Sequence, residues 1–133
     1  MSIETALVAI KTADTTLNEL IGTRFHPDGL PQHVAFPCVK FQVITRVPVD
    51  RTFNSRVQIT EARVQVDGYA ASAAGRSALR VAILDCYELF RGPIGGEVID
   101  NIWIALERQN LEMQDTETAA YHIGIDLMVD IRQ

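Results

Sequence analysis

From Tyr121 to Ile131 the chain alternates without a break. Tyr121, Ile123, Ile125, Leu127, Val129 and Ile131 occupy the odd positions, and His122, Gly124, Asp126, Met128, Asp130 and Arg132 the even ones. Successive residues of a strand point to opposite faces, so a period of two specifies a strand with one apolar and one polar face. An amphipathic helix would instead repeat its apolar residues every three or four positions. A strand of this kind needs a sheet to pair with and a layer to cover its apolar face.

The rest of the chain supplies both. Val39, Phe41 and Val43 alternate with Lys40 and Gln42, a second half-buried strand. A third carries Val57 and Ile59 on odd positions but Ala62, Val64 and Val66 on even ones, which predicts a bulge near Thr60 and Glu61. Ile102, Ile104 and Leu106, with Trp103 and Ala105 opposite, predict a strand covered on both sides, and Glu112 to Thr118 reads as an acidic turn. Two helices complete the set. One runs over residues 2–21 with its stripe at Ile3, Leu7, Ile10, Leu17 and Ile21, and the other over 72–91 with Leu79, Ala82, Ile83, Cys86, Leu89 and Phe90, stopped by Gly92-Pro93. Gly22, Pro27, Asp28, Gly29, Pro31 and Pro37 mark a long connection between the first helix and first strand, with Phe25 and Phe36 available to pin it to the core. The order helix, strand, strand, helix, strand, strand predicts an α+β fold: a mainly antiparallel sheet of two hairpins with two helices packed on one face, in one domain over residues 1–133.

Composition narrows the function. With 133 residues, 47% of them hydrophobic, the chain can bury a cooperative core without staples or metals. The formal charge of −5 argues against a protein built to grip nucleic acid, whose affinity comes from clustered Lys and Arg. No apolar run reaches the roughly 20 residues of a bilayer span. Residues 1–11 lack the basic-then-apolar pattern of a secretion signal, so a cytoplasmic start is expected. Cys38 and Cys86 are too few for a disulfide framework and read as buried core residues.

Chemistry is hard to find. His26, His33 and His122 form no metal-ligand spacing with each other or with the cysteines, so no metal and no cofactor is expected. No nucleophile elbow is present. Gly92-Pro93-Ile94-Gly95-Gly96 lacks the Lys-Ser/Thr and following helix of a phosphate loop, and reads as the end of a helix. Asp126 and Asp130, two pleat repeats apart on one strand face, read as solvated acids. Tyr69, Tyr87, Tyr121 and Trp103 are scattered over different elements without interleaved basic residues, unlike a base-stacking platform. What does stand out is the connection from Arg46 to Arg56, with Arg46, Arg51 and Arg56 around Pro48, Phe53 and Asn54 in an acidic chain. It reads either as a solvated hairpin tip or as a docking element, since Arg and exposed aromatics carry interface energy. The acidic residues Glu112, Asp115 and Glu117 are its candidate complement on a neighbouring subunit.

Leu20-Ile21-Gly22-Thr23-Arg24-Phe25 followed by Phe36-Pro37-Cys38-Val39-Lys40-Phe41 resembles the opening of small tail-completion, or tail terminator, proteins of long-tailed bacteriophages. The resemblance continues through the strand Ala62 to Ala70, the helix after it and the closing strand from Tyr121 to Ile131. Pro37, Val64, Val66, Asp67 and Tyr69 match as fold positions, and the family offers no catalytic residue to transfer. The resemblance implies a virion structural protein, not an enzyme. It implies a homohexameric ring at the head-proximal end of the tail, touching the major tail tube protein and the head connector or neck protein, with no membrane and no tight nucleic-acid partner. A neck or head-closure protein is the alternative within the same class. A small enzyme or ligand-binding domain without a motif is the alternative outside it.

Overall fold

A computed structural model describes residues 3–30, 35–48, 59–113 and 119–132. The element order is α1 (Ile3–Ala13), α2 (Thr15–Ile21), β1 (Phe25–Pro27), β2 (Cys38–Pro48), β3 (Ile59–Ala70), α3 (Ala73–Tyr87), β4 (Gly92–Ile94), β5 (Glu97–Met113) and β6 (Ala119–Arg132). The strands form one sheet in the order β1-β2-β3-β6-β5-β4, curled into a half-barrel.

The centre of the sheet is the ladder between β3 and β6, antiparallel and unbroken from Ile59 opposite Arg132 to Ala70 opposite Tyr121. Because that register holds throughout, apolar residues line up across strands on one face. Phe41, Val66 and Ile125 form one such row, and Val43, Val64, Leu127 and Ile104 the next. The helices cover this face with Ile3, Ala6, Leu7 and Ile10 of α1, Leu17 and Ile21 of α2, and Leu79, Ala82, Ile83, Cys86 and Tyr87 of α3. Gly68 lets α3 approach: a Cβ there would lie 2.8 Å from Leu79 Cδ2 and 3.1 Å from Ile123 Cγ2. Tyr87, the largest fully buried side chain, donates its hydroxyl to the Leu7 carbonyl at 2.8 Å and so ties α3 to α1.

The expected sheet of two antiparallel hairpins under two helices is therefore corrected. The sheet is mixed, since β1 runs parallel to β2 with Phe25 opposite Val39. Arg24 holds this pair by donating from Nε to the Pro37 carbonyl at 2.8 Å and from Nη2 to the Leu20 carbonyl at 3.0 Å. The rings of Phe25 and Phe41 stack 4.6 Å apart. A sixth strand, β4, arises because Gly95 and Gly96 both adopt positive φ and fold Gly92–Ile94 back on β5, where a helix-ending loop was expected. The first helix is two helices: the Asp14 carboxylate accepts from the Leu17 N–H at 2.9 Å and caps a new start. The buried Lys11 ammonium then donates to the Gly22 carbonyl at 2.8 Å and closes the far end of α2.

Two finer expectations also change. β3 has no bulge at Thr60 and Glu61: Thr60 takes the helix face and Ile59 the other, while Val57 lies outside the described residues. The irregularities fall instead between Val43 and Thr45 in β2, and at two places in β5. Leu89, expected on the apolar stripe of α3, lies beyond the helix end at φ 62 and is 70% exposed, its N–H donating to the Ile102 carbonyl at 2.8 Å.

The close approach at Gly68 is directly testable. Gly68→Ala should lower the unfolding free energy by about 1–3 kcal/mol in urea titrations, the range for overpacking a tight core. In a Leu79→Ala background, itself destabilised by about 2–5 kcal/mol through loss of a buried side chain, the glycine change should cost less than it does in the wild type, because Leu79 Cδ2 is the nearest atom to the new methyl.

Candidate assembly surface

The sheet face turned away from the helices is polar but not open. Lys40, Asp67, Gly124 and Arg108 stand in register across β2, β3, β6 and β5. A Cβ on Gly124 would lie 3.0 Å from Arg108 Nε and 3.1 Å from Arg108 Cγ, so the arginine lies flat over the bare strand. From there Arg108 Nη1 reaches Asp126 Oδ1 at 3.4 Å, while Arg63 Nη2 donates to Asp126 Oδ2 at 2.7 Å. Asp126 is thus a buried carboxylate between two guanidinium groups, not the solvated acid expected from its spacing.

One pleat repeat away, His122 Nε2 meets Asp67 Oδ1 at 2.7 Å and His122 Nδ1 meets Asn110 Oδ1 at 2.6 Å. Tyr69 packs against the imidazole with ring centroids 5.0 Å apart, and Lys40 Nζ lies 5.8 Å from the Tyr69 ring centre. Burial pushes the Asp67 carboxyl up, but the hydrogen bond and charge of His122, with Gln65 and Lys40, outweigh it and hold the group below its ordinary value. A His–Asp pair can serve as a catalytic dyad, but here both imidazole nitrogens face protein oxygens and the ring is buried, so neither is offered to a substrate. Asp130 goes the other way: burial, then the charges of Glu61 and Asp100, raise its carboxyl.

The two cysteines are buried as well. Burial pushes the Cys38 thiol up to about 11 against the pull of Arg24. Burial and Asp14, opposed by Lys11, push Cys86 up to about 12, so neither offers a thiolate. Among the described residues, no three His, Cys, Asp or Glu side chains converge as metal ligands.

The edges of the sheet are where it meets its surroundings. β1 covers only Val39 to Phe41 of β2, leaving Gln42 to Pro48 unpaired on the outside among the described residues. β4 covers only Glu97 to Ile99 of β5, and the Leu89 N–H takes the Ile102 carbonyl. Beyond this, the long stretch to Met113 has no outer strand among the described residues. Both open stretches carry exposed aliphatic side chains, Ile44 and Val47 on β2, Leu106 and Leu111 on β5. A shallow apolar groove of about 580 Å³ also opens between α2 and α3, floored by Leu20, Ala78, Val81 and Ala82 and rimmed by Glu19 and Asp85.

Of the interface residues expected from the sequence, Arg46 lies on the open edge of β2, where its Nη2 pairs with Glu4 Oε1 of α1 at 2.8 Å and both partners are exposed. Arg51, Phe53, Arg56, Asp115 and Glu117 lie outside the described residues, and Glu112 is placed only as a backbone position in β5. The Arg63–Asp126–Arg108 and Asp67–His122–Asn110 clusters were not anticipated. Each member sits on a different strand, and only the register between strands brings them together.

The described residues thus form a mixed half-barrel sheet under three helices, with buried polar clusters on one face and edges that carry exposed aliphatic side chains. Among solved structures the chain is similar to one from the virion of native gene transfer agent (GTA) particle. The two share 15% identity and a TM-score of 0.63, over 99% of this chain and 96% of that one. At that identity the likeness shows a shared fold. No curated protein matches the chain. The family model described as tail completion protein gp17 matches residues 5–131, and the chain belongs to that family. It is a structural protein of the phage tail, a component of the virion and not an enzyme.

The two shifted carboxyls give opposite pH signatures. Asp67, lower in the folded state than its ordinary 3.8, contributes stability that is present above that value and lost as pH falls through its folded value. Asp67→Asn should therefore flatten the acid limb of a stability–pH curve. Asp130, raised in the folded state, loses stability as pH climbs from 3.8 through its folded value, so Asp130→Asn should be more stable than wild type at pH 7. Thermal melts from pH 2 to 8 check both signs.

Proposed function

We propose that the chain acts as a single tail-terminator-like domain that assembles into a homohexameric ring on the head-proximal end of the tail. There it stops polymerisation of the major tail tube protein and offers a surface to the head connector or neck protein. The carrying observation is the family match over residues 5–131. It is supported by the edges of β2 and β5, which have long stretches with no outer strand among the described residues. Electron microscopy of particles made without the protein tests the role. Over-long, unjoined tails are the expected result, whereas tails of normal length that only fail to join would assign it to head closure.

The ring is not a DNA-gripping device in this reading. Each copy contributes −5, and a passage for DNA gains nothing from strong phosphate affinity. Purified protein should bind duplex DNA negligibly at physiological salt in a filter assay, and tight, steeply salt-dependent retention would contradict the reading.

Arg46 of β2, with Arg51 and Arg56 between β2 and β3, serves in contact with a neighbouring subunit or the tube. Arg46→Ala with Arg51→Ala and Arg56→Ala should leave the thermal midpoint nearly unchanged, since an exposed pair such as Arg46–Glu4 contributes at most about 1 kcal/mol. Tail completion, read as the yield of joined particles, should fall. Normal completion by the triple variant would make the connection a solvated tip.

A further inference from the structure

We infer that the open edge of β5 is the docking strand for the open edge of β2 of a second copy, so that each contact between subunits continues the sheet. The inference rests on the ring reading and names the surface through which the ring forms.

The stretch of β5 after Ile102 has no outer strand among the described residues, with the Asn110 carbonyl accepting from Arg76 Nη1 of α3 at 3.1 Å. The chemistry that satisfies a row of edge N–H and C=O groups is another extended backbone. Sheet edges are normally blunted by Pro, by charge, by bulges or by shortness, and here β2 carries Pro48 and a register shift between Val43 and Thr45, and β5 a register shift between Ile104 and Leu106. From Trp103 to Met113 the strand is long and contains neither Pro nor Lys. Instead it displays Leu106 at 48% and Leu111 at 54% exposure. β2 offers a matching edge with Ile44 at 45% and Val47 at 51%.

A second copy is favoured as the source because one kind of contact then uses both open edges of every subunit. Strand direction allows it. β2, β3, β6 and β5 alternate, so β2 and β5 run in opposite directions within the sheet. Copies related by rotation about an axis along the strands bring β5 of one against β2 of the next antiparallel, the same sense as the sheet's own central ladders. The contact is head-to-tail and repeats around a ring, whereas β5 against β5 would stop at a dimer and leave both β2 edges bare. Arg46 of β2 and Glu107 of β5 are opposite in sign and project on the same, helix-bearing side, each also paired within its own subunit, Arg46 with Glu4 at 2.8 Å and Glu107 with Arg80 at 3.0 Å.

The test places a lysine on each edge. Ile44→Lys and Leu106→Lys, at exposed positions, should keep the wild-type thermal midpoint and each lower incorporation into tails and self-association by at least about tenfold. Val8→Lys on α1, at 38% exposure and on neither edge strand, should behave as wild type. Mixed in solution, the two edge variants should form a one-to-one pair and nothing larger, because one keeps an intact β5 and the other an intact β2. Thr45→Cys combined with Leu106→Cys, both on the face away from the helices, should give a ladder of disulfide-linked oligomers on oxidation of assembled tails.

Self-association of Ile44→Lys alone into a dimer, or absence of the ladder from tails that contain the double-cysteine protein, overturns edge pairing. Normal incorporation of both lysine variants does the same and leaves the tail role standing. Absence of the wild-type protein from tails would instead overturn the reading on which the inference rests.

Discussion

Everything in this fold hangs on the ladder between β3 and β6. Its unbroken register fixes which side chains share a face, and a slip of one residue would carry Ile123, Ile125, Leu127 and Val129 from the core to the polar side. The helices dock only because that register delivers a continuous apolar surface, with Gly68 open beneath Leu79. The polar clusters depend on it equally, since Asp67 meets His122, and Arg63 meets Asp126, across this same pair of strands. Core and polar face are two readings of one alignment.

The polar side shows how a sheet can be sealed without a second apolar layer. Arg108 folds down over Gly124, arginines bracket Asp126, and Tyr69 with His122 closes the neighbouring patch. Asp126 and Asp67 each have a basic partner within hydrogen-bonding distance, the condition under which burying a carboxylate is tolerable. The buried Asp130 Oδ1, by contrast, has no hydrogen-bond partner among the described residues and faces the charges of Glu61 and Asp100. Such a face is stiff and specific but has little apolar area to give a partner. The exposed aliphatic side chains sit instead on the edge strands, on the outer faces of α1 and α3 at Val8 and Val81, and beyond the end of α3 at Leu89.

The period-two alternation of β2, β3 and β6 and the three-to-four repeat of the helices were legible in the sequence because burial imposes them residue by residue. Fold class was not. The parallel β1 has three residues, too few for a period, and depends on Arg24 reaching Pro37 across the connection. Asp14 sits inside an otherwise continuous helical stripe, and its capping role shows only when its carboxylate is seen on the Leu17 N–H. Gly95-Gly96 reads as a loop until both φ values make it a hairpin turn. Of the expected interface, Arg46 alone of the charged residues has a described side chain, and the buried clusters escaped notice because their members lie far apart along the chain.

That same distance shapes how the protein reaches its native state. Residues paired between β3 and β6 stand roughly 50 to 70 positions apart, so the central ladder closes a long loop before it returns any stabilisation. Helix α3, by contrast, can form locally just after β3. Pairing at that separation gives the chain a large share of non-local contacts, the kind whose formation topology slows. Until β3 and β6 meet, the alternating apolar side chains of β6 are an unsheathed template for association with other chains, so synthesis rate and chaperone access bear directly on how much assembly-competent subunit a cell yields.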